Sequence, residues 1–146
     1  DLREEQGQVS VNFRQVRLPR SLRVLYPRNS EALAAHWTNR NLFVVAEVLG
    51  QVRGYLSVAE GPMPELGWVA DFAVERKMRR QGIGTALITS AADWARRSGL
   101  RRLIIEVQSK NYPAICFSQK HGFTFCGYND RYFANRDIAL FFGMSL

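Results

Sequence analysis

The residue types and spacing best suited to chemistry run through Glu75-Arg76-Lys77-Met78-Arg79-Arg80-Gln81-Gly82-Ile83-Gly84-Thr85. An apolar, strand-like run precedes this segment and an amphipathic helical run follows it. A basic loop that closes on Gly-x-Gly at a helix start is an anion cradle. The glycines let the backbone approach a phosphate closely. The first helical amides lack partners within the helix, and the helix dipole favours negative charge. Arg79 and Arg80 add positive charge beside it. Two phosphate loops compete with this reading. A P-loop requires Gly-Lys-Ser/Thr, but Gly84 is followed by Thr85-Ala86. A dinucleotide fingerprint requires a small third residue, which here is Leu87, and a tight turn instead of the loop Glu75 to Gln81. Glu106, at the right distance downstream, keeps the dinucleotide reading in view.

Two carboxylates lie in strand-like apolar runs. In Leu103 to Gln108, alternation puts Leu103, Ile105 and Val107 on one face and Ile104, Glu106 and Gln108 on the other. Glu106 is the first candidate for a general base, with an arginine ion pair as its structural alternative. Asp71, in the run Leu66 to Val74, is the second, with a hydrogen bond inside the sheet as its alternative. The loop Tyr128 to Asp137 holds Tyr128, Asp130 and Tyr132, acidic and aromatic groups that suit a cationic amine.

These residues belong to a chain of 146, the length of one ordinary domain, and 47% of them are apolar. That balance excludes disordered, collagen-like and coiled-coil classes. Cys116 and Cys126 form no disulfide framework and read as free thiols of a reducing compartment, hence a cytoplasmic location. His36 and His121 have no ligand neighbours at metal spacing, so no metal is expected. No apolar run is long enough to span a membrane, and the polar stretch Asp1 to Gln8 does not read as a secretory leader. The formal net charge is +7, and only Lys77, Lys110 and Lys120 are lysines among the 20 basic residues. Such an arginine excess suits an anionic partner. A nucleic-acid-binding module is the competing class, but the arginines are scattered and no RNA-recognition or zinc-finger pattern occurs.

The positioning elements alternate in type. A first strand is expected over Val9 to Val16, then an arm containing Pro19 and Pro27. A helix over Glu31 to Trp37 follows, with Ser30 as its N-cap. Leu42 to Val48 and Val52 to Ala59 read as a hairpin turning at Gly50-Gln51. In Leu66 to Val74, alternation puts Leu66, Trp68, Ala70, Phe72 and Val74 on one face. A helix runs from Ile83 to Arg97, with Ile83, Leu87, Ala91 and Trp94 as its core stripe and Gly99 as its stop. Then come the strand Leu103 to Gln108, the short helix Pro113 to His121, and the strands Phe123 to Tyr128 and Ile138 to Met144. The pattern predicts an α/β fold, a mixed and mostly antiparallel twisted sheet flanked by helices, with residues 1–146 as one domain.

Arg79-Arg80-Gln81-Gly82-Ile83-Gly84 resembles the Arg/Gln-x-x-Gly-x-Gly/Ala motif of the GNAT superfamily of N-acetyltransferases. The flanks Asp71-Phe72-Ala73-Val74-Glu75 and Thr85-Ala86-Leu87-Ile88 resemble that family as well. Downstream, Asn111-Tyr112-Pro113-Ala114 and then Gly122-Phe123 resemble its Asn-x-x-Ala…Gly-Phe segment. The resemblance implies acetyl-coenzyme A as acyl donor, its pyrophosphate held at Arg79 to Thr85. Asn111, Ala114 and Phe117 would line its thiol end, and a backbone amide among Phe72, Ala73 and Val74 would meet the developing oxyanion. A narrower resemblance, carried by Glu106-Val107-Gln108, Gly127-Tyr128 and Asp130-Arg131-Tyr132, and Ile138 to Phe142, is to streptothricin acetyltransferases, which acetylate an antibiotic amine.

The implied reaction is direct attack of an amine on the thioester, with a small amine as acceptor and a protein N-terminus or lysine as the alternative. A non-catalytic coenzyme A-binding module is the alternative from another class, and a homodimer is a further expectation. Many family members carry Tyr seven residues after the Asn, to protonate the leaving thiolate. Here that position is Ser118, a weaker acid, and Tyr112, Cys116 and Tyr128 are the nearby substitutes.

Overall fold

In the computed structural model, residues 2–5, 7–20, 22–24 and 29–146 are described. Of the expected arm, residues 21 and 25–28 lie outside them. Near the N-terminus, strands β1 (Leu2–Glu5) and β2 (Gln8–Val11) pair antiparallel as a separate two-stranded sheet. The single strand expected over Val9 to Val16 is therefore the second half of a hairpin, and it stops at Val11. Helix α1 (Ser30–His36) is capped by Asn29, not Ser30: the Asn29 side chain accepts from the Ala32 amide at 2.8 Å.

The main sheet contains β3 (Leu42–Val48), β4 (Gln51–Glu60), β5 (Leu66–Val74), β6 (Arg102–Gln108), β7 (Thr124–Asn129) and β8 (Ala139–Ser145). Their order is β3-β4-β5-β6-β8-β7, and β5–β6 is the parallel pair in it. Helix α2 (Ile83–Arg97) makes the β5-to-β6 crossover, and α3 (Tyr112–Lys120) joins β6 to β7. The first hairpin turns at Leu49-Gly50, one residue before the expected place. Both residues take positive φ (53° and 75°), as the twist-matched two-residue hairpin turn requires.

One face of the sheet makes the core. Leu56, Val58, Val69, Leu103, Ile105, Val107, Leu140 and Phe142 pack there against Leu87, Ile88, Ala91, Ala92 and Ala95 of α2. The alanines let the helix lie close to the strands. Each large apolar side chain buried there contributes about 1.5–3 kcal/mol before entropy is counted.

The β5 alternation expected from sequence fails at one residue. Val69 pairs with Val58 and Asp71 with Ser57, so Ala70 is an extra residue without a partner on β4. This β-bulge shifts the alternation. Val69 and Phe72 both turn to the core face, and Trp68 and Asp71 share the opposite face.

Candidate active site

Strands β5 and β6 pair only from Leu66–Arg102 to Val69–Ile105. Beyond that point β5 continues to Val74 against β4, and β6 continues to Gln108 against β8. The two therefore part, and alternate backbone amides of residues 70–74 point into the gap. Phe72, Ala73 and Val74 lie along this open edge.

The N-terminus of α2 stands behind the gap. Gly82 caps it at φ +88°, a left-handed conformation that costs a residue with a side chain roughly 1–2 kcal/mol. The first helical bond runs from the Ala86 amide to the Gly82 carbonyl at 2.9 Å, so the amides of Ile83, Gly84 and Thr85 have no partner within the helix. No side chain among the described residues caps them. Arg79 donates through Nε to the Val74 carbonyl at 3.0 Å, and Gln81 donates to the Lys77 carbonyl at 3.2 Å. The first bond ties the basic loop to the end of β5 and the second closes the loop on itself, beside the exposed Arg80.

Glycine at position 84 has a steric reason. A Cβ there would meet Cε2 of Phe117 at 3.2 Å. Phe117 in turn packs edge-on against Phe72, their centroids 5.4 Å apart, and against His121 at 4.3 Å. His121 Nε2 lies 3.2 Å from the Thr85 hydroxyl. We expect Gly84→Val to weaken acetyl-coenzyme A binding at least tenfold, because the branched side chain displaces Phe117 and occupies the approach to the free amides. Calorimetric titration measures this, and an unchanged dissociation constant would refute the cradle.

Asn111 caps α3, its side chain accepting from the Ala114 amide at 3.4 Å. Ala114 and Phe117 face the core side of that helix. Tyr112 and Cys116, one turn apart, lie together on another flank. The hydrogen bond to Cys116, that thiol's charge and slight desolvation all raise the Tyr112 phenol above the ordinary tyrosine range. Ser118 is 1% exposed and donates its hydroxyl to the Ala114 carbonyl at 2.9 Å.

The face opposite the core collects the remaining groups. Glu106 Oε2 accepts from Trp68 Nε1 at 3.2 Å and from the Tyr132 hydroxyl at 2.8 Å. Phe141 pairs directly with Glu106 across β6–β8, and its ring packs edge-on against both Trp68 and Tyr132 at 5.6 Å. The loop carrying Tyr132 is tied down by Asp137, which pairs with Lys110 beside α3 and accepts from Asn135 at 2.9 Å.

Asp71 lies on the same face but is engaged otherwise. Its Oδ2 accepts from Ser57 at 2.7 Å and from Arg40 at 3.3 Å, and its side chain is 2% exposed. Of the three acceptor-side residues, only Tyr132 meets Glu106. Tyr128 packs against Phe13 at 5.6 Å, and Asp130 is exposed beside Arg131. Sequence reasoning missed Trp68, Phe141 and Arg40. Alternation along β5 groups Trp68 with Phe72, which lies on the core face, and the bulge and the cross-strand register that bring Trp68 to Glu106 are not written in any motif.

With this geometry in place, a sequence profile of the Acetyltransferase (GNAT) family matches residues 13–123. The chain belongs to the GNAT acetyltransferase family. Among its GNAT relatives is the streptothricin acetyltransferase of Streptomyces lavendulae, 35% identical over 85 residues. That match covers 58% of this chain and 45% of the relative, so the chain spans less than half the relative's length. Solved GNAT structures share the fold. The IAA acetyltransferase from Bacillus cereus ATCC 14579 superposes with a TM-score of 0.74 at 21% identity, covering 81% of this chain and 85% of that one. A Bacillus anthracis str. Ames protein in complex with acetyl coenzyme A gives 0.68 at 22% identity, covering 73% and 63%.

Proposed function

We propose that this chain moves an acetyl group from acetyl-coenzyme A to the amine of a small antibiotic-type acceptor. The carrying observation is the parting of β5 and β6 immediately after Val69–Ile105. It opens a slot with the uncapped α2 amides at one end and Glu106 one residue past the last pair. The donor supplies an activated thioester, and the protein supplies position, charge and a base. Family membership and the naming of a relative for streptothricin support the donor and the acceptor class.

In this reading the amides of Ile83 to Thr85, with Arg79, Arg80 and Gln81, hold the pyrophosphate. Asn111, Ala114 and Phe117 border the thiol end. An amide of the open β5 edge, among Phe72 to Val74, faces the developing oxyanion. Glu106 takes the proton that the acceptor ammonium must lose before its nitrogen can attack, and Trp68 and Tyr132 fix the carboxylate that takes it. Holding both substrates in one slot makes the attack effectively unimolecular. We assign Asp71 a structural part, since Ser57 and Arg40 engage it. Ser118 receives none in proton transfer, because its proton is committed to a backbone carbonyl. Free Cys116 and Cys126 accord with a reducing compartment.

Incubation of the protein with acetyl-coenzyme A and either streptothricin-type amines or lysine- and N-terminus-bearing peptides, with released thiol and product mass as readouts, tests the reading. Acetylated antibiotic supports it, acetylated peptide alone moves the acceptor to protein, and no binding of the donor overturns it. Ser118→Ala is expected to change turnover by less than tenfold. A thousandfold loss in steady-state assays would return Ser118 to the catalytic machinery.

A further inference from the structure

The Thr85 hydroxyl sits in the first turn of α2, among the amides that have no partner within the helix, and His121 Nε2 lies 3.2 Å from it. The imidazole is held there by Phe117, whose ring also covers Gly84. The contact has two forms. With Nε2 unprotonated, the Thr85 hydroxyl spends its proton on the ring. With Nε2 protonated, the ring donates to the Thr85 oxygen and the hydroxyl proton is released toward an incoming anion; a neutral ring takes either form according to its tautomer, the imidazolium only this one. We infer that His121 is a proton-linked part of the phosphate cradle, and that its protonation fixes Thr85 as a donor toward the bound pyrophosphate and adds a positive charge beside it.

This inference rests on the coenzyme A reading and goes beyond it, because neither the glycine motif nor the family pattern gives His121 a role. The surroundings make the link one-directional. Burial first, and the adjacent Lys120 second, hold His121 below its ordinary range, so the free protein keeps the ring neutral at neutral pH. On α2, residues 83–92 carry no ionisable side chain, and the first is Asp93, more than two turns away. On the loop before α2 the charged groups are Glu75, Arg76, Lys77, Arg79 and Arg80. Of these, Glu75 pairs with Arg53 and Arg79 turns to Val74. After α3, residues 122–129 carry no charge ahead of Asp130. A bound anion is thus the group that favours the imidazolium, and affinity rises as pH falls through the His121 titration.

The test uses 3′-dephospho-coenzyme A as probe. Its pyrophosphate stays ionised across the range, whereas the 3′-phosphate of coenzyme A titrates near 6 and would mask the effect. Dissociation constants are measured by calorimetry from pH 5.0 to 8.0 for the wild type, His121→Gln and Thr85→Val. We expect the wild type to bind about tenfold more tightly at the acid end, the equivalent of a one-unit rise in the His121 pKa on binding. His121→Gln should lose that slope, and Thr85→Val, which keeps the imidazolium charge but has no hydroxyl to orient, should keep only part of it. Proton NMR of the wild type, a chain with only two histidines, gives a second readout that needs no variant: the His121 ring should titrate higher with the probe than without it. A pH slope identical in wild type and His121→Gln, or a His121 titration unmoved by the probe, overturns the inference alone. Absence of binding at every pH overturns the coenzyme A reading and this inference together.

Discussion

Glu106→Gln lowers kcat/KM for the amine by about a thousandfold, within the 10²–10⁴ that a positioned general base supplies. It leaves the affinity for acetyl-coenzyme A within about threefold. The amide is isosteric and its oxygen still accepts from Trp68 and Tyr132, so the packing of that face is kept. What is lost is the ability to take a proton. The acceptor then reacts only through the fraction that is already neutral. That fraction grows tenfold per pH unit up to the free amine's pKa, about 10.4 for a lysine-type amine. The variant's rate should therefore keep rising with pH where the wild type has levelled off. The donor constant is spared because the cradle is built from α2 and its preceding loop, not from β6. A pH–rate profile superimposable on that of the wild type would remove Glu106 from the base role. A parallel loss of donor affinity would show that the substitution had disturbed the slot itself.

Arg40→Met destabilises the fold by about 3 kcal/mol, the lower end of what breaking a buried ion pair costs. Asp71 is 2% exposed, and Arg40 keeps 18% of its side chain accessible, which places the pair near that lower limit. Removing the guanidinium takes a cation away from a carboxylate that water cannot reach. The neutral hydrogen bond from Ser57 offsets only part of that loss. Adding Asp71→Asn to Arg40→Met should recover most of the loss, because the double variant no longer buries a charge. Urea unfolding of the two single variants and the double variant measures this directly. The same Asp71→Asn variant, if folded and turning over at near wild-type rate, separates the structural carboxylate from the catalytic one. A double variant no more stable than Arg40→Met would show that Asp71 is not the origin of the loss.

The cradle was legible in the sequence because it is local. Gly82, Gly84 and the basic residues before them are contiguous, and both the left-handed Gly82 and the uncapped amides follow from a loop entering a helix. The helices and most strands were legible for the same reason: their hydrophobic periods lie within runs of seven to fifteen residues. The family resemblance follows from those same contiguous segments.

What the sequence did not hold was everything that depends on which strand lies beside which. Asp71 and Glu106 read as equivalent carboxylates in apolar strands. Only the tertiary structure placed Arg40, 31 residues away, against one and Trp68 and Tyr132 against the other. The extra residue at Ala70 defeats a period-2 reading, because a bulge is a property of two paired strands and not of one. Tyr128, Asp130 and Tyr132 fall within five residues of one another, yet β7 pairing sends Tyr128 toward Phe13 while the loop brings Tyr132 back to Glu106. The sequence by itself determined the glycine loop at the start of α2 and the order of elements, because backbone conformation and hydrophobic period are short-range. The tertiary structure decided which carboxylate lies against an arginine and which against Trp68 and Tyr132, because charge and exposure depend on neighbours distant in the chain.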